Sequence, residues 1–365
     1  MRGMDERQRS LIVLMNPEDR IPREHPLRGI KALADPILRD LSSTFEAMYS
    51  RVGRPSIPPE RLLKASLLMA LYSIRSERLF CEQLEYNLLF RWFLDMDMVS
   101  PAFDHSVFSV NRERLLAHDV AAEFFRGVVA AAREKRLMSD EHFTVDGTLI
   151  EAWASLKSFR PKDGADRRED DDDDPGNPSV DFHGEKRTNA THQSTTDPES
   201  RLARKGKGKE AKLSYSLHAL MENRHGLLVD LAVDQAHGRA ERENALAMVD
   251  ENLPGAKRLT LAADKAYDTS EFVRECRERN VTPHLARNTR RPGGSTLDGR
   301  TIRHAGYHVS QRKRKRVEEI FGWLKTVGGL RRTRFLGVER TQLWAYLAGA
   351  AYNLLRLARL NPAPA

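Results

Sequence analysis

The spacing of the apolar residues changes once along this chain, and that change limits the folds that the chain can form. Up to about residue 135 the apolar residues recur at helical intervals, whereas from residue 143 they alternate with polar residues as in a strand. The pattern predicts strands at 143–146, 212–223 and 227–233, and then, in order, a helix at 241–253, a strand at 259–264, a helix at 270–279, a strand at 281–285 and helices at 311–327 and 341–360. Strands that first follow one another and later alternate with helices favour a mixed sheet flanked by helices.

The first 125 residues are predicted to form an all-α region. Helices are expected from about residue 59, at 76–93, from about residue 104 and at 119–135. Pro58 and Pro59 suit the first turn of the first of these helices. Consecutive helices with short connections are compatible with a helix-turn-helix that reads DNA. They are equally compatible with plain helix packing, and the pattern does not decide between the two.

Residues 136–360 are predicted to form the sheet domain, interrupted by a polar insertion at 155–210. This insertion has five large apolar side chains in 56 residues, six consecutive acids at 169–174 and a basic run at 201–212. Such a composition buries too little apolar surface to offset the entropy of ordering the chain. We therefore expect the insertion to be mobile and interpret its acidic run as solvated surface.

The charge of the chain is positive and unevenly placed. The formal net charge is +8, and residues 281–340 alone contain fifteen Lys and Arg but only four Asp and Glu. A concentrated basic segment is typical of proteins that bind a polyanion such as nucleic acid, although a solvated basic surface has the same composition. The chain has two cysteines and no apolar stretch of membrane length, so a cytoplasmic protein without a disulfide scaffold is expected.

Three acidic residues occupy positions where the predicted fold could bring them together. Asp146 lies on the first strand, Asp264 ends a central strand and Glu318 lies on a late helix. Each alone has an ordinary interpretation, as a turn residue, a helix cap or an exposed helix acid.

The helix around Glu318 favours the interpretation of the acids as a site. Val317, Ile320, Phe321 and Leu324 follow the spacing of a buried stripe. A neighbouring face places Glu318 between two cations, beside a glycine that leaves room for a ligand: Arg314, Gly322 and Lys325. Carboxylates among phosphate-binding cations suit Mg²⁺, two ions of which can support phosphoryl transfer.

Three strings in the sequence strongly resemble the DDE transposases of bacterial insertion sequences, in particular the IS5-like group of the IS4/IS5 superfamily. They are Thr-Val-Asp-Gly-Thr-Leu at 144–149, Ala-Asp-Lys-Ala-Tyr-Asp at 263–268 and Arg-Lys-Arg-Val-Glu-Glu-Ile-Phe-Gly-Trp-Leu-Lys at 314–325. The resemblance covers about residues 40–360. It implies a ribonuclease-H-like mixed sheet in which Asp146, Asp264 and Glu318 are catalytic and bind two Mg²⁺ ions, with Mn²⁺ as a substitute.

A longer family signature, Tyr-x2-Arg-x3-Glu-x6-Lys, maps onto the basic segment with one departure. Its tyrosine position holds Gln311, so no contact of the tyrosine is carried over. The resemblance implies that the arginine and lysine of the signature bind DNA phosphates. The cations expected to bind DNA, including those adjacent to the signature, are Arg312, Lys313, Arg314, Arg316 and Lys325.

The function implied by the resemblance is DNA transposition. Such an enzyme binds the ends of an insertion sequence in double-stranded DNA, cleaves there as a metal-dependent endonuclease and joins the 3′-hydroxyl ends to target DNA. The reaction needs two ends, so a homodimer or higher assembly on DNA is expected, in the cytoplasm with the nucleoid. The alternatives are a nuclease of the same fold that does not join, a DNA-binding repressor or inactive relic, and an RNA-binding protein.

Overall fold

The computed structural model describes residues 16–50, 52–53, 55–162, 180–182, 185–206, 208–253 and 257–360. Within these residues the N-terminal part is helical, as predicted. Its helices are α1 (Pro17–Arg20), α2 (Pro26–Asp40), α3 (Ser42–Ala47), α4 (Pro59–Leu71), α5 (Glu77–Tyr86), α6 (Leu88–Phe93), α7 (Ser106–Ala117) and α8 (Val120–Glu134).

The predicted helix at 76–93 is two helices, α5 and α6, because Asn87 interrupts it. The backbone of Asn87 is extended, with φ −86° and ψ 100°, and its Oδ1 accepts a hydrogen bond from the Phe90 amide at 3.2 Å. An asparagine side chain that bonds to the following backbone favours a new helix start over continuation of the old helix.

Helix α7, the helix predicted from about residue 104, directs two polar side chains into the protein. Asn111 is buried and accepts a hydrogen bond from the Tyr49 hydroxyl at 3.0 Å. Arg112 pairs with Glu77, and its guanidinium lies 4.7 Å from the ring centre of Phe335. The contacts of these two residues favour helix packing over DNA reading.

The C-terminal part of the described chain combines strands and helices. The strands are β1 (His142–Glu151), β2 (Phe159–Pro161), β3 (Val180–Phe182), β4 (Glu185–Arg187), β5 (His192–Ser194), β6 (Arg201–Arg204), β7 (Ala211–Glu222), β8 (Leu228–Gln235), β9 (Leu259–Ala263) and β10 (Val281–Leu285). The helices are α9 (Ala240–Asn252), α10 (Ser270–Glu278), α11 (Gly299–Arg303), α12 (Ala305–Lys313), α13 (Arg316–Thr326) and α14 (Val338–Leu360).

The order of the strands defines the fold. Across the main sheet the order is β8-β7-β1-β9-β10, and β6 pairs with the first residues of β7. Strands β1, β7 and β8 form an antiparallel meander, and β9 and β10 run parallel to β1, each preceded by a helix as a parallel crossover requires. This is the ribonuclease-H-like topology, so the predicted fold class is confirmed.

Part of the predicted insertion at 155–210 is built into this structure. Strand β2 pairs with β5, and β6 extends the main sheet. Asp197 is buried and accepts a hydrogen bond from the Tyr215 hydroxyl at 2.5 Å, while Glu199 accepts one from the Val338 amide at the start of α14 at 2.6 Å. The acidic run lies outside the described residues, as do the rest of 163–179, residues 183–184 and residue 207. The mobility of the insertion therefore stays a prediction.

Two apolar clusters cover the two faces of the sheet. Helices α9 and α10 cover one face, and α13, α14 and the N-terminal helices cover the other. Helix α14 packs against β8 so closely that a Cβ on Gly349 would lie 2.5 Å from Cδ1 of Leu231. Helices α2, α4 and α8 pack on α14, so the N-terminal region shares a core with the sheet. The boundary predicted between residues 125 and 136 stays a prediction.

Candidate active site

The parallel pairing of β1 and β9 brings two of the predicted acids to one place. The last paired residues are Thr144 on β1 and Ala262 on β9. Asp146 and Asp264 each lie two residues further along. Because parallel strands advance together and side chains alternate with a period of two, both aspartates stand on the same face at neighbouring strands. The sequence pattern predicts the strands that carry the two aspartates, and the register of β1 and β9 brings them side by side.

Local hydrogen bonds hold both carboxylates. Oδ1 of Asp146 accepts a hydrogen bond from the Gly147 amide at 2.9 Å. Oδ1 of Asp264 accepts one from the Ala266 amide at 2.6 Å, which caps the short 3₁₀ turn after β9. Each aspartate therefore has one oxygen engaged by the backbone, so both side chains are oriented before any ligand binds.

Asp146 is largely buried and lies in the fields of other acidic side chains. Burial raises the pKa of Asp146 to about 7, and the charges of Asp264 and Glu241 act in the same direction. The Gly147 amide and the Arg314 guanidinium lower this pKa but do not offset the burial. A carboxyl group perturbed by burial and by like charges is typical of functional sites.

Helix α13 carries the third predicted acid, and its buried stripe is as predicted. Val317, Ile320, Phe321 and Leu324 are all buried, and the helix packs against β1. Glu318 is exposed on the helix surface. The predicted helix at 311–327 is in fact two helices, α12 and α13, joined at 314–315 by a tight turn in which the Val317 amide donates to the Arg314 carbonyl at 3.2 Å.

The turn between α12 and α13 places Arg314 near the aspartates. Its Nε donates to Oε1 of Gln311 at 2.9 Å, and Nε2 of Gln311 donates to the His284 carbonyl at 2.6 Å. Gln311, the departure from the family signature, thus links Arg314 to strand β10. The charge of Arg314 acts on Asp146 and lowers its pKa, so this predicted phosphate-binding cation lies within electrostatic range of that acid.

Lys325 lies at the other end of α13 and reaches β1. Its Nζ donates to Oγ1 of Thr148 at 2.6 Å, two residues after Asp146. Burial lowers the pKa of Lys325 to about 8, and the charges of Lys205 and Arg331 act in the same direction. Several cations therefore converge near the end of β1.

The other predicted DNA-binding cations do not share one location. Arg312 is exposed, Lys313 acts on the pKa of His142 at the start of β1, and Arg316 donates to the Arg224 carbonyl at 3.1 Å. The structure therefore brings together Asp146, Asp264 and Arg314, and it distributes the remaining cations along α12 and α13.

Glu241, near the start of α9, was missed by the sequence analysis. Its side chain lies against Gly147, where a Cβ would be 3.0 Å from Oε1 of Glu241. Burial raises the pKa of Glu241, and the charge of Asp264 acts in the same direction. The available signal was its position at the start of α9, the helix between β8 and β9, because that helix must return across the sheet to the strand beside β1.

The donor set suits a hard divalent cation. The side chains that converge are carboxylates, which are the ligands that Mg²⁺ prefers, and Mg²⁺ is commonly bound by one or two carboxylates with water and substrate phosphate. Asp146 and Asp264 meet that requirement. In the part of the chain that the structure describes, no three His, Cys, Asp or Glu residues stand close enough to hold one ion. The participation of Glu318 stays a prediction.

Strand order and adjoining aspartates define the class of this protein as ribonuclease-H-like. Two family models match the chain: residues 15–114 match a transposase domain (DUF772), and residues 181–354 match a transposase DDE domain. The chain belongs to the DDE transposases and is a DNA transposase. The second match includes Asp264 and Glu318, whereas Asp146 lies before it; membership of the IS5-like group stays a prediction.

Other comparisons give weaker similarities. Comparison with curated protein sequences finds no significant match. A piggyBac transposase synaptic complex with hairpin DNA is 12% identical, with 92% of this chain and 75% of that chain covered and a TM-score of 0.43. A Mos1 transposase paired-end complex is also 12% identical, with 84% and 80% covered and a TM-score of 0.21. Similarities of this size do not define the fold, which the strand order of the chain establishes. No helix among the described residues could cross a membrane.

Proposed function

We propose that this transposase binds the two ends of an insertion sequence in double-stranded DNA, hydrolyses a phosphodiester bond at each end and joins the freed 3′-hydroxyls to target DNA. The observation that supports this proposal is the placement of Asp146 and Asp264 on neighbouring strands, within the field of Arg314. Paired carboxylates beside a phosphate-binding cation suit an in-line displacement at phosphorus.

The reaction has two phosphoryl transfers. In the first, a water oxygen bonds to phosphorus and loses a proton to solvent, while the bond from phosphorus to the 3′-oxygen breaks and that oxygen takes up a proton from solvent to become the 3′-hydroxyl. In the second, the freed 3′-oxygen bonds to a target phosphorus and displaces a 3′-oxygen of the target strand. Both steps develop negative charge on the phosphate oxygens, which positioned cations stabilise.

Each proposed residue has a distinct task. Asp146, Asp264 and Glu318 would hold Mg²⁺, or Mn²⁺ in its place, in a site of two ions. When bound, these cations supply an activated nucleophile and stabilise the leaving oxygen. Arg314 would bind a non-bridging phosphate oxygen, held in place by its hydrogen bond to Gln311.

Lys325 would bind a second phosphate near the end of β1. Its ammonium is partly buried and lies in the field of other cations, which lowers its pKa to about 8. A phosphate placed there would relieve that repulsion and favour the charged lysine. The cations further along the two helices would contact the DNA backbone outside the cleavage position: Arg312, Lys313 and Arg316.

The assembly follows from the reaction. Two ends are cut and joined in concert, so two copies of the chain or more would act together on DNA, in association with the nucleoid. Gel filtration and footprinting that show single copies on separate, unpaired ends throughout joining would contradict this part of the proposal.

The joining of pre-cut ends tests the proposal. Duplexes with a free 3′-hydroxyl end are incubated with target plasmid and Mg²⁺, and joined products are counted. Glu318→Gln is expected to abolish joining, whereas Glu319→Gln, the adjacent exposed acid on the same helix, should keep it. Cleavage of uncut ends without joining would indicate a nuclease, and tight binding to the ends without either reaction would indicate a repressor or relic. Equal joining by both variants would refute the role of Glu318.

A further inference from the structure

Glu241 lies beside the aspartate pair without belonging to the predicted triad. It is the second residue of α9, and a Cβ on Gly147 would be 2.9 Å from its Cγ and 3.0 Å from its Oε1. Gly147 directly follows Asp146. Only a residue without a side chain lets Glu241 approach β1 this closely at this position.

The start of α9 is also tied to the loop that carries Asp264. Nη1 of Arg242, the residue after Glu241, donates to the Ala266 carbonyl at 3.3 Å. The amide of the same Ala266 donates to Oδ1 of Asp264 at 2.6 Å. Glu241 is therefore held between β1 on one side and the Asp264 loop on the other.

Two buried polar side chains next to these acids lack a hydrogen-bond partner within the described residues. The Tyr267 hydroxyl is fully enclosed and lies in the fields of Glu241, Asp146 and Asp264. Both ring nitrogens of His218 are also unpartnered, and its Nδ1 is 3.1 Å from the Cβ position on Gly147 that Glu241 approaches. Buried polar groups are almost always hydrogen-bonded, so these groups point to a polar ligand beside Glu241.

A helix-dipole role alone does not account for Glu241. An acid in the first turn of a helix is favourable, and α9 has two, Glu241 and Glu243. Glu243 is exposed and lies 3.8 Å from Nε2 of His237. Glu241 instead packs against Gly147 within the electrostatic influence of Asp146 and Asp264, and no Lys, Arg or His in the described part of the chain forms an ion pair with it. A divalent cation relieves that like-charge repulsion.

We propose that Glu241 is a further carboxylate of the metal site and positions a hydrated divalent cation that Asp146 and Asp264 bind. The inference rests on the proposed metal-dependent function. Mg²⁺ and Mn²⁺ retain bound water in such sites, and a carboxylate that accepts hydrogen bonds from that water fixes the ion without a direct bond. The Tyr267 hydroxyl and the His218 ring nitrogens would be further hydrogen-bond partners for that water.

Binding of Mn²⁺ to the full-length protein without DNA tests this inference. Electron paramagnetic resonance measures free Mn²⁺, and titration calorimetry measures its affinity, so neither readout depends on catalysis. Glu241→Gln is expected to weaken Mn²⁺ binding about 10- to 100-fold, the range for residues that orient metal ligands. Glu243→Gln, on the same helix turn, is expected to bind as the unaltered protein does. Urea unfolding in chelator shows whether each variant folds.

Asp264→Asn separates failure of the inference from failure of the proposed function. Loss of Mn²⁺ binding in Asp264→Asn together with unchanged affinity in Glu241→Gln would overturn the role of Glu241 and leave the proposed metal site intact. Equal Mn²⁺ binding by the unaltered protein and both variants, or no binding by any of them, would overturn both. Equal weakening by Glu241→Gln and Glu243→Gln would show a general charge effect and would also overturn the inference.

Discussion

Asp230→Asn is expected to flatten the pH dependence of the stability of this protein. Asp230 lies on β8, is 8% exposed and accepts hydrogen bonds from the Leu231 amide and from Nδ2 of Asn252, both at 2.8 Å. Burial raises the pKa of Asp230 from 3.8 to about 6, and the charge of Glu251 acts in the same direction. The folded protein therefore holds this proton more tightly than the unfolded chain does.

The sign and size of the effect follow from linkage. A raised pKa contributes stability that is present below the unfolded pKa of 3.8 and is lost as the pH rises through about 6. A pKa that is higher by about two in the folded protein corresponds to about 3 kcal/mol of unfolding free energy, of which roughly 2 to 3 kcal/mol is lost between pH 4 and pH 8. Asparagine does not ionise. Its altered hydrogen bonding to Asn252 costs the same at both pH values and cancels in the difference.

Urea unfolding at pH 4 and pH 8 measures this effect. Relative to the unaltered protein, Asp230→Asn should gain roughly 2 to 3 kcal/mol in unfolding free energy on going from the lower to the higher pH. Asp19→Asn, at an exposed position on α1, is the matched control and should show no such gain. Parallel pH profiles for Asp230→Asn and the unaltered protein would refute the reasoning.

Three further substitutions test the packing and the basic surface. Arg91→Met should lower the unfolding free energy by roughly 3 kcal/mol or more in urea, because the buried guanidinium donates to several backbone carbonyls that would lose their partner; a loss below about 1 kcal/mol would contradict this. Gly349→Val should cost roughly 1 to 3 kcal/mol in the same assay, since a Cβ there meets Leu231 at 2.5 Å, and unchanged stability would show that α14 can shift. Lys325→Met should weaken binding to duplex DNA and lower the slope of log affinity against log salt by about one, and an unchanged slope would exclude a phosphate contact.

The strands of the main sheet could be predicted because their apolar patterns are local in the sequence, whereas the placing of β1 between β7 and β9 joins distant segments and was implied only by the resemblance. Two strands separated by a turn pair as a hairpin, and strands that alternate with helices pair in parallel, so the pattern predicts the β7–β8 and β9–β10 pairings and a mixed sheet. The buried stripe of α13 is likewise a property of residue spacing within one helix. Strand β6 could not be predicted, because a four-residue strand in a polar segment gains its stability from β7 rather than from its own sequence.

The site was predictable only in part, because tertiary contacts bring some of its residues together. Asp146 lies within β1, which continues past the predicted end at residue 146 to Glu151, and Asp264 directly follows β9; the register of the two strands brings the aspartates together. Glu241 depends on how α9 crosses β1 at Gly147, which is a contact between residues 94 positions apart that no local pattern contains. The short turn at 314–315 also depends on tertiary contacts, since Gln311 is fixed by the backbone of β10.

Mg²⁺-dependent cleavage of a supercoiled plasmid that carries the element's own ends tests the central claim most directly. The unaltered protein and Glu319→Gln should cut at the ends, and Asp264→Asn, folded to the same degree by urea unfolding, should not cut. Equal cleavage by Asp264→Asn and the unaltered protein would contradict the assignment of the aspartate pair as the centre of the reaction.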